Sequence, residues 1–297
     1  MTDVAKSVKR IANCTPSTIP PEVFDASEPV LLEGLVGDWP AVRGCGGLAE
    51  AGQYLKPYFT EHPVTAYIGP PSIGGRFFYN DEFTGFNFRS GSAPLEQVLL
   101  RLAEQQVAPD KAQAIYVGST MIDRWLPGFR DNNDIPIPFP DPLVSFWLGN
   151  QTSISAHYDF PDNMACVVSG ERRFTLFPPE QVSNLYVGPV DQTPSGQAIS
   201  VVDFRNPDLH KFPKFVQALE HAQIAEMKAG DALLIPSMWW HQVEAFSQFN
   251  LLVNYWWCNS LPALGSPSAA LMNAMLSIRD LPKRQREGWK HMFEHYV

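Results

Sequence analysis

Short runs of apolar and β-branched residues recur at close intervals through residues 143–148, 152–159, 164–169 and 173–177. After a loop-rich insertion they resume at 222–227, 232–235, 240–246 and 251–257. Turn residues separate them, among them Ala229-Gly230-Asp231. About eight such strands with Gly/Pro punctuation predict a double-stranded β-helix, a jelly-roll barrel. The preceding part is mixed. Residues 29–36, 76–79 and 114–117 are strand-like, whereas Leu95, Val98, Leu99 and Leu102 follow helical spacing. A proline- and aspartate-rich stretch, residues 131–142, predicts a loop. From Ser268 onward the period becomes helical. Leu271, Met275 and Ile278 share one face, and Trp289, Met292, Phe293 and Tyr296 share another. Leu281-Pro282 divides the two helices, since proline disfavours helix at the residue before it. The expected architecture is mainly β with flanking helices. Residues 1–130 form a mixed α/β segment packing on the barrel, 131–260 form the barrel, and 261–297 form a helix pair.

Composition narrows the function classes. The 297 residues include 27 Pro, 19 Phe, 9 Tyr and 8 Trp, in keeping with short strands and aromatic packing. The formal charge of −9 lacks the basic footprint of an extended nucleic-acid contact and disfavours an anionic membrane surface. No 18-residue apolar run occurs, and the first residues show no signal-peptide pattern. Cys14, Cys45, Cys166 and Cys258 have no C-x-x-C spacing, which excludes a zinc ribbon and predicts reduced thiols. The cytoplasm is the expected compartment.

Of the seven histidines, only His157 stands in an H-x-D pattern, with Asp159. On a strand, residues i and i+2 project from one face, so both side chains can reach one point inside a barrel. His241, after Pro236-Ser-Met-Trp-Trp240 on a later strand, is the natural second imidazole. Two histidines and one carboxylate on a jelly-roll make the facial triad that holds iron(II) with three positions open. The bland alternative is that His157 and His241 are hydrogen-bonded core residues. His291 and His295 are four apart on a helix, but Met292 stands where a zinc-protease motif needs glutamate.

Ordered matches extend from Glu28-Pro-Val30 and Gly37-Asp-Trp-Pro40 to His157-Tyr-Asp159, Asn163, Gly170-Glu-Arg-Arg-Phe-Thr-Leu-Phe-Pro-Pro179 and Val202-Asp-Phe-Arg-Asn-Pro-Asp208. They continue through Lys211-Phe-Pro213, Gly230-Asp231, Ile235-Pro236, Trp239-Trp-His241 and Val253-Asn-Tyr-Trp256. On these residues the sequence resembles the JmjC or cupin-like family of iron(II)- and 2-oxoglutarate-dependent oxygenases. Within that family it most resembles the branch of the asparaginyl hydroxylase that inhibits hypoxia-inducible factor. The resemblance implies that His157, Asp159 and His241 ligate iron and that Tyr116 hydrogen-bonds the distal carboxylate of 2-oxoglutarate. It further implies that Asn163 and Asn254 lie near the metal-bound end of the cosubstrate, and that Trp256 walls the site, with plain core packing as its alternative. Two departures stand out. Arg172 replaces the usual lysine, with Arg173 next door as the rival if strand parity differs. Ile154 replaces a threonine that contacts the same carboxylate. Arginine keeps a two-pronged grip on a carboxylate but needs a reshaped pocket.

The resemblance therefore implies a dioxygenase, a hydroxylase in type, using Fe(II), 2-oxoglutarate and dioxygen and releasing succinate. A protein or peptide side chain is the favoured substrate. A small molecule, a modified RNA base or a methylated histone are the alternatives, and a catalytically silent metal or oxoacid sensor is the alternative from another class. The apolar terminal helices either fold onto their own barrel or interlock with a second copy, and the resemblance favours a homodimer.

Overall fold

The computed structural model of this chain describes residues 6–194, 196–260 and 264–297. Residues 1–5, read above for a targeting signal, lie outside them. Contacts divide the chain into two units, residues 1–258 and 259–297.

The larger unit is built on eight strands: β1 (Leu143–Gly149), β2 (Thr152–His157), β3 (Asp162–Ser169), β4 (Glu171–Phe177), β5 (Gln223–Lys228), β6 (Ala232–Ile235), β7 (Trp240–Ala245) and β8 (Asn250–Trp257). They alternate between two sheets, β5-β4-β7-β2 and β6-β3-β8-β1, all pairs antiparallel. This is a jelly-roll. The N-terminal part does more than pack on it. Val30–Leu32 pairs with β6, Ala114–Met121 pairs with β1, and Arg76–Phe77 pairs with β2, so early strands widen both sheets.

Two cores explain the sequence pattern. The space between the sheets takes alternate residues: Ala165 and Val167 of β3, Phe174 and Leu176 of β4, Ala225 and Met227 of β5, and Leu252 of β8. The opposite face of the larger sheet carries Met164, Cys166, Val168, Val144, Phe146, Leu148, Leu251, Val253 and Tyr255. These pack with residues of Pro40–Gly44, Leu48–Leu55 and Leu95–Gln106. A sheet covered on both faces reads as nearly continuous apolar sequence, as in Asn250–Trp257, where seven of eight residues are buried. Leu95, Val98, Leu99 and Leu102 are the buried stripe of the predicted helix. The predicted loop at 131–142 is a loop apart from its first residue, which ends a short 3-10 turn.

The β3–β4 hairpin turns at Gly170, whose φ of +83° suits glycine, and a Cβ there would lie 2.7 Å from the Phe249 carbonyl oxygen. That turn fixes the parity of β4: Arg172 falls on the same side as Phe174 and Leu176, between the sheets.

In the smaller unit, α1 (Pro267–Ile278) begins at Ser266, whose hydroxyl accepts from the Ala269 amide, and α2 (Lys283–Tyr296) follows Pro282. Neither helix buries a residue. Trp289, Met292 and Phe293 are nearly half exposed. No helix of the described residues is long and apolar enough to cross a membrane, and all four cysteines are free.

Candidate metal and oxoacid site

His157 ends β2 and His241 sits near the start of β7, directly opposite it in the sheet register. A bulge lies between these strands. Between the paired positions, β2 advances from Ile154 to His157 while β7 advances only from Val243 to His241. The extra residue bends β2 and brings the imidazole rings to 4.4 Å between centroids. Each Nδ1–H donates to the carbonyl two residues back, His157 to Ser155 at 2.9 Å and His241 to Trp239 at 3.0 Å. Both Nε2 atoms are thereby left as lone-pair donors for a metal.

Asp159 departs from the expected placement. The sequence places it on the strand, but β2 ends at His157 because the chain turns at Phe160-Pro161, and proline cannot donate to a ladder. The carboxylate is brought in by a clip between this turn and the one before β7. The Met238 amide donates to the Asp159 carbonyl, the Ser237 hydroxyl to the Phe160 carbonyl, and the Ser237 amide to Asp162. As a result Asp159 Oδ2 lies 3.6 Å from His241 Nε2, and one ligand atom from each of the three residues falls within 4.8 Å of the others. Burial and the neighbouring His157 hold the His241 pKa below the usual imidazole range, so it stays neutral, the form that ligates. Two neutral imidazoles and a carboxylate converging from one side are a donor set that fits a divalent ion.

The same interior holds a pocket of about 60 Å³ that these three residues share with Tyr116, Trp147, Ile154, Asn163, Arg172 and Asn254, among others. Arg172 is 5% exposed, and its Nε is buried without a hydrogen-bond partner. Burial pulls its pKa down to about 10, opposed only by the Tyr116 hydroxyl and by no carboxylate. Tyr116, half-buried, has its own pKa pushed up by desolvation and eased by Arg172. A guanidinium this buried ordinarily has an anionic partner, and here the group it faces is a pocket. Arg173 faces outward, paired with Glu226 at 2.6 Å and lying over the Phe246 ring. Ile154 lines the pocket without offering a hydrogen bond.

A chain of amides crosses the floor. The indole of Trp147 donates to Asn254 Oδ1 at 2.6 Å, and Asn254 Nδ2 donates to Asn163 Oδ1 at 3.2 Å. Asn163 Nδ2 is left to donate into the site. Trp256 is more than packing, since its indole donates to Asp159 Oδ2 at 3.2 Å. Sequence reading passed over Trp147. Its ring stacks on Tyr116 at 6.0 Å, and the signal lay in strand parity, which sets Ser145 and Trp147 opposite the core-facing Val144, Phe146 and Leu148.

A family model described as "Cupin-like domain" matches residues 16–261. The chain belongs to that family. Among curated proteins it is similar to "Lysine-specific demethylase JMJ31" of Arabidopsis thaliana, 36% identical over 115 residues, 38% of this chain and 20% of that protein. It is similar to "tRNA wybutosine-synthesizing protein 5" of Gallus gallus, 33% identical over 147 residues, 44% of this chain and 43% of that protein. It is also similar to "Bifunctional peptidase and (3S)-lysyl hydroxylase JMJD7" of Homo sapiens, 33% identical over 136 residues, 40% of this chain and 42% of that protein. The chain thus spans less than half the length of these relatives.

Proposed function

We propose that this protein is an Fe(II)- and 2-oxoglutarate-dependent dioxygenase that hydroxylates a side chain of a protein or peptide. The observation that carries the reading is Arg172: a buried guanidinium without a carboxylate partner, opening on the small pocket that also holds His157, Asp159 and His241. A molecule carrying a carboxylate at one end and a metal-chelating oxoacid at the other would join the two halves of that pocket. Membership of the cupin-like family and the hydroxylase and demethylase names of the relatives support the oxygenase class.

The division of labour follows from the residues. His157, Asp159 and His241 would hold the ion from one side, and a bound ion with 2-oxoglutarate supplies the activation of dioxygen. Arg172 and the Tyr116 hydroxyl would grip the distal carboxylate, a two-pronged charge-assisted contact that also fixes the tilt of the cosubstrate. Asn163 Nδ2 would donate to the metal-bound end. Trp256 would keep the Asp159 carboxylate turned toward the ion. The walls of Ile154, Val243 and Leu252 would exclude water from between these groups.

Two of the three relatives named above carry lysine in their names and one carries tRNA. The net charge of −9 favours a protein substrate over an extended RNA contact. The test is incubation of cell extract with Fe(II) and 2-oxoglutarate, with and without the enzyme, followed by mass spectrometry for products heavier by one oxygen. Succinate release without any such product would reject the hydroxylase assignment. No succinate, with 2-oxoglutarate still bound, would make the protein an oxoacid sensor.

A further inference from the structure

Outward from the 60 Å³ pocket the barrel opens into a second cavity of about 430 Å³, which shares Tyr116, Trp147, Ile154, His157, Asp159 and Trp256 with it. Its outer wall is aromatic. The rings of Tyr67, Phe77 and Trp147 each approach that of Tyr116, at 6.3, 5.8 and 6.0 Å between centroids and with 35°, 40° and 29° between planes. Phe88 meets Tyr67 and Phe77 edge-on at 5.6 and 5.2 Å, and Phe86 stacks behind Phe88 at 5.1 Å. Each ring is held by at least one other, so the wall is rigid before anything binds.

Charge is missing from this wall. Among the described residues that line it the acidic and basic side chains are His157 and Asp159, both at the end that faces the proposed metal. Two cations adjoin lining residues along the chain without lining the cavity themselves: the Arg76 guanidinium lies 3.8 Å over the Phe78 ring and 3.7 Å from Asp203, and Arg89, next to Phe88, is exposed. An ammonium or phosphate held against the outer aromatic wall, away from the metal end and from Arg172, would shed water and find no counter-charge there. Ring faces return less than the hydration such an ion gives up. An uncharged apolar group has no such hydration to lose and gains contact with six aromatic side chains and two isoleucines.

We propose that this cavity is the substrate site and selects an uncharged, apolar group, so that neither a lysine ammonium nor a phosphorylated nucleotide is the part that reaches the metal. The proposal rests on the oxygenase reading above for its placement beside the ion, and on the wall for its selectivity.

Three probes of one shape and different charge separate the outcomes: benzyl alcohol, benzylammonium and benzoate. Saturation-transfer NMR on the full chain measures their affinities without any metal, and Mn(II) then reports which probe protons lie near the ion. Benzyl alcohol is expected to bind at least tenfold more tightly than either charged probe, and its protons to be broadened by Mn(II). Phe88→Ala should weaken it severalfold, and Phe88→Glu should reverse the order in favour of benzylammonium. Equal or tighter binding of benzylammonium or benzoate to the wild type would overturn the selectivity. Tight benzyl alcohol without Mn(II) broadening would overturn the site. Broadening of 2-oxoglutarate protons, read in the same samples, tests the oxygenase reading separately, since its loss leaves the probe order standing or falling by itself.

Discussion

The indole nitrogen of Trp256 donates to Oδ2 of Asp159 at 3.2 Å, and that same oxygen lies 3.6 Å from Nε2 of His241. The aromatic residue on β8 therefore aims the carboxylate that sits beyond the end of β2, where no sheet ladder holds it. Partners of this kind commonly change metal affinity by about 10–100-fold when removed. Trp256→Phe keeps the ring but loses the donor. Mn(II) affinity by calorimetry should fall about tenfold, and an unchanged value would mean that the turn at Phe160-Pro161 holds Asp159 unaided.

Removing the carboxylate itself is the stronger change. Asp159→Ala leaves two imidazoles, and both Mn(II) binding and succinate formation should be lost together. Retention of full Mn(II) affinity would place the ion elsewhere.

Arg172 links function to stability in opposite senses. A charge-assisted hydrogen bond is worth roughly 1.5–3 kcal/mol, so Arg172→Met should weaken 2-oxoglutarate binding by about tenfold or more. The ligand-free protein should nevertheless melt at a higher temperature, because a buried, unpartnered cation is replaced by an apolar chain of similar length. Arg173→Met should leave 2-oxoglutarate affinity unchanged, since Arg173 is partly exposed and already paired with Glu226. The reverse pattern would reject the cosubstrate assignment.

At Gly170, alanine would combine a φ of +83° with a Cβ 2.7 Å from the Phe249 carbonyl. Gly170→Ala should cost on the order of 1–2 kcal/mol, read as a lower denaturant midpoint at unchanged slope. Full stability would mean that the hairpin relaxes without cost.

The terminal helices expose Leu271, Met272, Leu276, Trp289, Met292, Phe293 and Tyr296. Apolar surface of this extent favours association, and a closed two-fold dimer is the arrangement expected for it. Light scattering should give twice the chain mass of 33.2 kDa at micromolar concentration, and Trp289→Glu should give monomers. A wild-type mass near 33 kDa would refute the dimer.

The amino-acid sequence alone determined the jelly-roll, because strands buried on one or both faces leave a local record: alternation between the sheets, continuous apolar runs where helices cover the outer face, and Gly or Pro at the turns. It also singled out His157, Asp159 and His241, whose order is recognisable and whose ligand atoms the fold brings within 4.8 Å of one another. Three things awaited tertiary structure. The bulge that faces His157 toward His241 depends on the pairing of two strands some 84 positions apart in sequence, and no local signal encodes a register. The parity of β4, which turns Arg172 inward and Arg173 outward, follows from the hairpin at Gly170 and the apolar neighbours Phe174 and Leu176, so adjacent arginines are indistinguishable until that strand is seated. The aromatic wall joins Tyr67, Phe77, Phe88 and Trp147 from separate segments, and Trp256 finds Asp159 across 97 residues. Contacts made between distant segments are a property of packing, and packing is settled only when the whole chain is folded.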